Sequence, residues 1–364
     1  MRILSDEQKL EQHMAFWQGT PMKRPLISMR TGSVFPSTLY RANKALLVKG
    51  RLLSPADIHV NEYLKDYLRI REEYDSTGHD AFFVADPCTG IPWMEAILGA
   101  KVYGADCAFI TEPPFQTIDD LHSIQVDKQN NLWYQKYLEF TKKLVDVADG
   151  RFPVGQPILR GSTDTIGALV GQEEMACALM EVPEQIRVLF DAIANVQREL
   201  VIDQFSLIPP FYAGYGIGLY NIWAPGRVIW LQEDLSALTA PKHYKEFLRP
   251  VAETICAGFD FTLMHLHPAS FFQLDSILEV DAIKVVQINK DNGGPSVSEM
   301  MPLLKKVIEC GKKLVLGMGD LNREDIDAVY RNLPGHSTAL SIVTPTVQEA
   351  QALIEYMSTM DFSK

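Results

Sequence analysis

The sequence has few of the features that mark secreted, membrane-bound or nucleic-acid-binding proteins. Its five cysteines are an odd number, they are widely spaced along 364 residues and they form no C-x-x-C pair, which favours a reducing compartment. Lysine and arginine number 34 against 46 aspartates and glutamates, giving a formal net charge of -12. This charge repels phosphate groups, so we expect neither nucleic acid nor an anionic membrane as a partner.

Long apolar runs and nucleotide-binding motifs are also lacking. The first twenty residues contain no continuous apolar stretch of signal-peptide length, so we expect a cytoplasmic protein. The most apolar region, residues 205–230, is interrupted by prolines and glycines, which argues against a membrane span. The chain has no Walker A loop, no G-x-S-x-G, no H-E-x-x-H and no G-x-G-x-x-G after a first strand. These absences disfavour a nucleotide cofactor and a serine hydrolase.

Short apolar runs rich in β-forming residues alternate with helical stretches. Eight of them cover residues 25–29, 81–85, 154–159, 227–231, 261–264, 282–288, 313–317 and 338–343. This alternation is typical of a parallel sheet with crossover helices, and eight such units close most economically as a barrel. The sequence therefore predicts an α/β fold, a (β/α)8 TIM barrel with an N-terminal helical extension. We expect the extension over residues 1–20 and a single barrel domain over residues 21–364.

Local signals support the alternation. Ser296 with Glu299 and Thr346 with Glu349 have the spacing of a capping box, in which a hydroxyl and a carboxylate satisfy free amides at a helix start. Apolar periodicity predicts helices over residues 132–147 and 184–202. Residues 101–110 are predicted to form an additional hairpin.

Polar residues directly follow the apolar runs, and a barrel of this type builds its active site at the carboxyl ends of its strands. The candidates in chain order are Arg30, Asp86, Cys88, Arg160, Glu233, Asp234, His265, His267, Gln287, Asn289, Asp320 and Thr344. Each residue taken alone is also explained as a loop anchor or a helix cap. The set as a whole predicts a substrate site, with Arg30, Arg160, Gln287 and Asn289 as substrate-binding residues.

The sequence His265-Leu266-His267 is the sharpest local feature. Side chains two residues apart at a strand end point the same way, so two imidazoles can share a metal ion. The alternative is a pair of hydrogen-bonded histidines that steady the loop before Pro268. In the neighbouring Glu233-Asp234, the first residue is predicted as a ligand and the second as a carboxylate that supports it or caps the following turn.

Two further features bear on the mouth of the barrel. Asp86 precedes Pro87, which fixes the backbone and holds the carboxylate there; it could bind substrate, act as a general base or pair with Arg30. Four aromatic residues interspersed with glycines suggest a mobile flap that excludes water, with packing onto the rim as the alternative. They are Tyr212, Tyr215, Tyr220 and Trp223, and the first two are predicted to contact substrate.

Three segments resemble the uroporphyrinogen decarboxylase superfamily, which includes zinc-dependent corrinoid methyltransferases and is related to cobalamin-independent methionine synthase. They are residues 24–30 (RPLISMR), residues 85–99 with Ala85-Asp86 and PWMEAILG, and residues 232–236 (QEDLS) with the helix after them. The resemblance extends from Arg24 to about Met357 and implies the barrel fold.

The sequence departs from the decarboxylases of this superfamily. Gly32 is followed by Ser33, where they have a second arginine, and their G-H-G near the eighth strand is absent. A porphyrinogen with many carboxylates needs several cationic contacts, and Arg30 and Arg160 are too few. True uroporphyrinogen decarboxylation is therefore disfavoured.

The methyltransferases of this superfamily bind zinc through His-x-Cys and a later cysteine. In this chain His265-Leu266-His267 occupies the first pattern and the later cysteine is missing, so the resemblance leaves Glu233 or Cys88 as a third ligand. Imidazole and carboxylate ligands make zinc a harder Lewis acid than thiolates do, which favours an oxygen substrate or water over a thiol.

The resemblance thus implies a methyltransferase-like enzyme. Asp86, Glu233, His265 and His267 would be catalytic, with zinc as cofactor and a corrinoid either as substrate or carried by a partner protein. The sequence is also compatible with a homodimer. The alternatives are a divergent, metal-free decarboxylase of a pyrrolic or aromatic acid, and a non-catalytic tetrapyrrole or corrinoid binding protein.

Overall fold

A parallel sheet of six strands forms most of the barrel wall in the computed structural model, which describes residues 4–121, 124–317, 319 and 321–360. The strands are β1 (Leu26–Thr31), β2 (Leu52–Leu53), β3 (Lys101–Ala105), β4 (Ala108–Glu112), β5 (Gly155–Gln156), β6 (Tyr215–Ile217), β7 (Ile222–Ala224), β8 (Val228–Leu231), β9 (Phe261–Leu266), β10 (Val285–Asn289), β11 (Lys313–Gly317) and β12 (Thr338–Thr344). The sheet has the order β1-β12-β11-β10-β9-β8, and every neighbouring pair is parallel.

Helices alternate with these strands along the chain. They are α1 (Asp6–Gln18), α2 (Val60–Asp75), α3 (Trp93–Ile97), α4 (Leu132–Ala148), α5 (Ser162–Val170), α6 (Gln172–Glu181), α7 (Pro183–Leu207), α8 (Pro241–His243), α9 (Arg249–Cys256), α10 (Leu274–Leu278), α11 (Val297–Glu309), α12 (Arg323–Asn332) and α13 (Val347–Ser358). The predicted TIM barrel with its N-terminal helix is confirmed. In the described part of the chain, no helix is long and apolar enough to cross a membrane.

Several local predictions are confirmed. The Ser296 side chain accepts the Glu299 amide in a complete capping box, and Thr346 accepts the amide of Glu349. The hairpin predicted over residues 101–110 is the antiparallel pair β3–β4, to which β2 adds a third strand. The helices predicted over residues 132–147 and 184–202 are α4 and α7.

The wall between β1 and β8 departs from the prediction. Residues 81–85 form no regular strand; a parallel bridge joins Ala85 to Val154, and the Asp80 amide donates to the Ile27 carbonyl at 2.9 Å. The run predicted over residues 154–159 shortens to the two residues of β5. Pro153 and Pro157 flank β5, and because proline has no amide hydrogen they limit its ladder.

A hairpin fills the remaining gap. Strand β6 pairs in parallel with β5 and returns through β7, so the segment predicted as a mobile flap forms part of the barrel wall. Between β5 and β8 the Gln156 side chain replaces a backbone ladder. Its Nε2 donates to the Trp230 carbonyl at 3.2 Å, and its Oε1 accepts the Trp230 amide at 3.0 Å.

Helix α1 covers the amino end of the barrel. The ring of Trp17 lies 4.6 Å from that of Phe261 at the start of β9, and the ammonium of Lys313 lies 5.2 Å from the ring centre of Phe16. Phe16 and Trp17 join apolar side chains of the barrel interior, which are Leu26, Val228, Trp230, Leu263, Val285, Val315 and Ala339. With this end closed by apolar packing, the open end is the carboxyl end of the strands.

Candidate metal centre

Two imidazoles lie side by side where β9 ends. His265 is the penultimate residue of β9 and His267 follows the strand, so the two-residue spacing places both rings on one side. Their ring centres are 4.6 Å apart at an angle of 86°. The predicted pairing of these side chains is therefore present in the fold.

The Nδ1 atom of each imidazole has a partner from the segment that contains β10. His265 Nδ1 is hydrogen-bonded to Gln287 Oε1, and the Tyr220 hydroxyl lies 3.4 Å from the same nitrogen. His267 Nδ1 lies 2.8 and 2.9 Å from the two carboxylate oxygens of Asp291. Because Nδ1 donates to an oxygen in each ring, Nε2 is the nitrogen with the free lone pair.

Asp234 faces both Nε2 atoms. Its Oδ1 lies 3.8 Å from His265 Nε2, and its Oδ2 lies 4.0 Å from His267 Nε2. One donor atom from each of the three residues falls within 4.8 Å of the other two. Within the described ranges this is the single group of histidine, cysteine, aspartate or glutamate residues with such spacing.

The environment separates the two histidines electrostatically. Burial lowers the pKa of His265 and outweighs the charge of Asp234. Burial also lowers the pKa of His267, but the hydrogen bond to Asp291 and the charges of Asp234 and Asp291 outweigh it, so the net shift is upward. In Asp291 burial raises the pKa, but the hydrogen bond from His267, the charge of His267 and smaller contributions from Asn289 and His265 together outweigh it, so the net shift is downward.

The three residues line a cleft of about 240 Å³ at the carboxyl end of the barrel. Its wall also contains Glu95, Arg160, Tyr220 and Asn289. The arrangement thus joins a potential metal-binding group, a guanidinium and a carboxylate around one small cavity.

Glu233 does not lie with the imidazoles, which corrects its prediction as a metal ligand, while its catalytic role stays a prediction. Its carboxylate accepts the amides of Ser162 at 2.9 Å and Thr163 at 2.8 Å, and the Thr163 hydroxyl at 2.6 Å. It therefore satisfies the free amides at the start of α5. Gly161 permits this approach, because a Cβ there would lie 2.3 Å from a Glu233 oxygen. Burial raises the pKa of Glu233 to about 7, against the effect of these hydrogen bonds.

Cys88 is also outside the metal-binding group, which corrects its prediction as a ligand. Its side chain is fully buried, and its sulfur accepts a hydrogen bond from Asn43 Nδ2 at 3.5 Å. Burial raises the pKa of the thiol, so the thiolate needed for zinc binding is disfavoured.

Asp86 and Arg30 are buried near each other without forming an ion pair. The Asp86 carboxylate accepts the Thr89 amide at 2.8 Å, and burial raises its pKa to about 7. The Arg30 guanidinium donates to the Val34 carbonyl at 3.4 Å, while its Nε and Nη1 atoms are buried without a partner. Burial lowers the pKa of Arg30 to about 10.

The two tyrosines predicted to bind substrate lie elsewhere. The Tyr212 hydroxyl lies 3.3 Å from an Asp6 oxygen of α1, at the amino end of the barrel. The ring of Tyr215 packs against that of Phe205 in α7, with their centres 4.6 Å apart. Tyr220 lines the cleft instead, because the turn between β6 and β7 points to the carboxyl end.

Asn289 lines the cleft, whereas Gln287 acts behind it by holding His265. The Gln287 amide donates to Asn289 Oδ1 at 3.0 Å, which links the two predicted residues. The Thr344 hydroxyl donates to the Thr346 carbonyl at 3.0 Å, and Asp320 lies outside the described residues.

Two residues of this site, Asp291 and Glu95, are absent from the sequence prediction, and Asp234 is predicted only as a supporting carboxylate or a cap, whereas it faces both imidazoles. Asp291 continues the two-residue spacing of Gln287 and Asn289, so the same periodicity that paired the histidines also indicates it. Glu95 lies in the fully buried helix α3, and nothing in its local sequence distinguishes it from a structural residue.

The chain matches no protein-family model and no curated protein sequence. Solved structures do match its fold. A methyltransferase from Methanosarcina mazei has a TM-score of 0.65 at 13% identity, over 96% of this chain and 98% of that one. A B12-independent methionine synthase from Shewanella sp. W3-18-1, in complex with selenomethionine, has a TM-score of 0.55 at 12% identity, over 92% and 98%. At these identities the similarity concerns the fold.

Proposed function

We propose that the chain is a zinc-dependent, methyltransferase-like enzyme that acts on a small methylated oxygen compound. Asp234, His265 and His267 are the proposed ligands, and the cleft is the proposed substrate site. The observation that carries this proposal is the convergence of three donor atoms within 4.8 Å at the carboxyl end of the barrel. The fold shared with two proteins named for methyl-transfer activities supports the choice of reaction.

The donor set fits zinc. Zinc lies about 2.1 Å from nitrogen and oxygen ligands, so two such ligands are at most about 4.2 Å apart. The separations of 3.8 Å between Asp234 Oδ1 and His265 Nε2 and of 4.0 Å between Asp234 Oδ2 and His267 Nε2 fall within this limit. The donor atoms of all three residues lie within 4.8 Å of one another, so a shared ion needs at most a small closure of the group. Three protein ligands leave a position open, as catalytic zinc sites do.

Zinc bound to this hard donor set would supply a Lewis acid for a substrate oxygen. Gln287 and Asp291 hold the two imidazoles with Nε2 directed at Asp234, which fixes the ligands before metal binding. Tyr220 covers the inner side of His265 and stacks on Trp230, with ring centres 4.5 Å apart. These rings form an apolar wall beside His265.

In the proposed reaction the bond between the methyl carbon and the substrate oxygen breaks, and both electrons stay on the oxygen. The methyl group forms its new bond to the nucleophilic atom of the acceptor. We propose a corrinoid carried by a partner protein as the acceptor. A cleft of about 240 Å³ is smaller than the 300–1,000 Å³ typical of drug-sized ligands, so a corrin ring would have to approach from outside.

Metal analysis of purified, zinc-loaded protein tests the proposal. We expect one zinc per chain, and loss of that zinc in Asp234→Asn, His265→Ala and His267→Ala. Glu233→Gln should keep the zinc, because this carboxylate binds the start of α5, and His59→Ala at an exposed position serves as the control. Methylation of cob(I)alamin by a small methoxy compound should follow the zinc content. A wild-type protein that holds no stoichiometric zinc after loading would end the proposal.

The buried pair Asp86 and Arg30 favours one alternative, a metal-free decarboxylase of a small acid. Arg30 has two unpartnered nitrogen atoms, and a buried carboxyl with a pKa near 7 can hold or release a proton at neutral pH. Release of carbon dioxide from pyrrole carboxylates in the presence of a chelator, and its loss in Asp86→Asn, would support this alternative. Zinc-dependent turnover would exclude it.

A further inference from the structure

A guanidinium lies in the same cleft wall as the proposed ligands and is fixed by a buried carboxylate. Arg160 Nη1 lies 2.7 Å from Glu95 Oε1, and both residues line the cleft. The Arg160 side chain is 43% exposed, whereas that of Glu95 is 0% exposed. Within the described part of the chain, no side chain accepts a hydrogen bond from Arg160 Nε or Nη2. These donors remain available to a ligand.

Glu95 is held rigidly. It lies in α3, where all five residues are buried, and the neighbouring Trp93 donates its indole N–H to the Pro87 carbonyl at 2.7 Å. Glu95 Oε2 is buried and has no partner among the described residues, so the carboxylate acts on Arg160 through Oε1 alone. The carboxylate also stabilises the charged guanidinium, since the charge of Glu95 is the largest cause that raises the pKa of Arg160.

A long, exposed arginine normally loses conformational freedom when it binds a ligand. Here one arm of the guanidinium is already fixed by Glu95, and its remaining N–H groups form a planar set of donors. This geometry matches a carboxylate, which accepts two parallel hydrogen bonds. The cleft, at about 240 Å³, has the volume of about eight water molecules in the liquid, so the ligand is small.

We propose that Arg160 binds a carboxylate of the substrate, and that Glu95 is the positioning residue that orients Arg160 for this contact. The substrate class is therefore a small methoxy acid rather than a neutral or cationic methyl ether. This inference rests on the proposed function for the methoxy group and for the cleft as the substrate site, whereas the carboxylate is argued from Arg160 and Glu95 alone.

Binding of two matched probes tests the inference. Methoxyacetate and methoxyacetamide have similar shape and differ in charge, and calorimetry on the full chain gives the ratio of their dissociation constants. We expect methoxyacetate to bind at least ~10-fold more tightly, as a charge-assisted contact provides. Zinc also attracts carboxylates, so the preference must persist in chelator-treated protein as well as in zinc-loaded protein.

Variants separate the two roles. Arg160→Gln should abolish the preference and Arg160→Lys should keep part of it, while Arg187→Gln, which removes a guanidinium paired with Glu246 outside the cleft, should leave it unchanged. Glu95→Gln should reduce the preference in the wild-type background and have no effect on it in the Arg160→Gln background. A merely structural role for Glu95 would weaken both probes equally and would overturn its assignment.

Failure of this inference differs from failure of the proposed function. Equal binding of the two probes, binding of neither, or a preference that survives in Arg160→Gln would overturn the carboxylate site whatever the zinc content. Charge-dependent binding in a protein that holds no zinc would instead support the carboxylate site and overturn the proposed zinc-dependent methyl transfer.

Discussion

At the carboxyl end of the barrel His265 and His267 each face a carboxylate, whereas at the amino end His13 of α1 is enclosed by aromatic rings. The His13 ring stacks on Phe82 with centres 5.5 Å apart, and its Nδ1 lies 3.1 Å from the Trp223 carbonyl. Its Nε2 is buried without a partner. Burial lowers the pKa of His13 to about 3, so it stays neutral at ordinary pH.

The difference shows that surroundings, and not residue type, decide what a histidine can do. All three side chains use Nδ1 for a hydrogen bond to an oxygen. Only at the carboxyl end does a carboxylate, that of Asp234, lie opposite the other nitrogen. We therefore expect His13 to contribute to stability and the other two to contribute to metal binding.

The largest expected effect is on the metal-binding side. His267→Ala should lower zinc affinity by more than ~100-fold. Removing the hydrogen-bond partner of a metal ligand already costs ~10–100-fold, and removing the ligand itself costs more. The unfolding free energy of the zinc-free protein should change by less than ~1 kcal/mol, since the His267 side chain is 33% exposed. Competition with a chromophoric chelator and urea denaturation in the presence of a chelator measure the two quantities.

The opposite result is expected for the amino end. His13→Ala should lower the unfolding free energy by ~3 kcal/mol, because it opens a cavity between Phe82 and Trp223. Its zinc affinity should equal that of the wild type. A His13→Ala protein that unfolds at the wild-type urea concentration but loses zinc would reverse the assignment of the two ends.

A smaller effect is expected for the residue that supports His267. Asp291→Asn should weaken zinc binding ~10–100-fold, less than removal of the imidazole itself. Asp281→Asn, at an exposed position before β10, is the matched control and should have no effect. Titration with the same chelator ranks the three proteins, and an Asp291→Asn affinity equal to wild type would contradict the role of this carboxylate.

The smallest effect is a pH dependence of stability. The folded pKa of His13 is about 3, below the ordinary value of 6.5, so the unfolded chain binds a proton between these values and the folded chain does not. Stability is therefore fully present above pH 6.5 and is lost as the pH falls, by ~2 kcal/mol at pH 5. His13→Phe should remove this part of the acid sensitivity. Urea denaturation of the wild type and of His13→Phe at pH 7 and pH 5 measures this loss. An equal loss of unfolding free energy in the two proteins would contradict the prediction.

Six of the eight predicted strands form the main sheet, because no proline lies within the strands as they form; Pro25 of the first predicted run stands just before β1. The other two predicted strands fail for two reasons. Backbone pairing between residues 81–85 and 154–159 is limited by prolines, and the hairpin β6–β7 takes up space that sequence reasoning assigned to a flap. A local pattern does not reveal which distant segment completes a sheet.

The site was predictable where the two-residue period of a strand determines the side to which a side chain points. Two-residue spacing paired His265 with His267, and it also indicates Asp291. It fails for Glu233 and Asp234, which are adjacent and face different neighbours. Which of them faces the imidazoles depends on how closely α5 approaches through Gly161, and that is a property of packing between distant segments.

The barrel wall has a seam between β5 and β8, where the side-chain amide of Gln156 makes the hydrogen bonds that a backbone ladder makes elsewhere in the wall. Because this seam depends on one side chain, the neighbouring hairpin β6–β7 can become longer or shorter while the other strands keep their pairing. The wall is also weakest at this seam. Replacing Gln156 by leucine would leave the main-chain amide and carbonyl of Trp230 without hydrogen-bond partners.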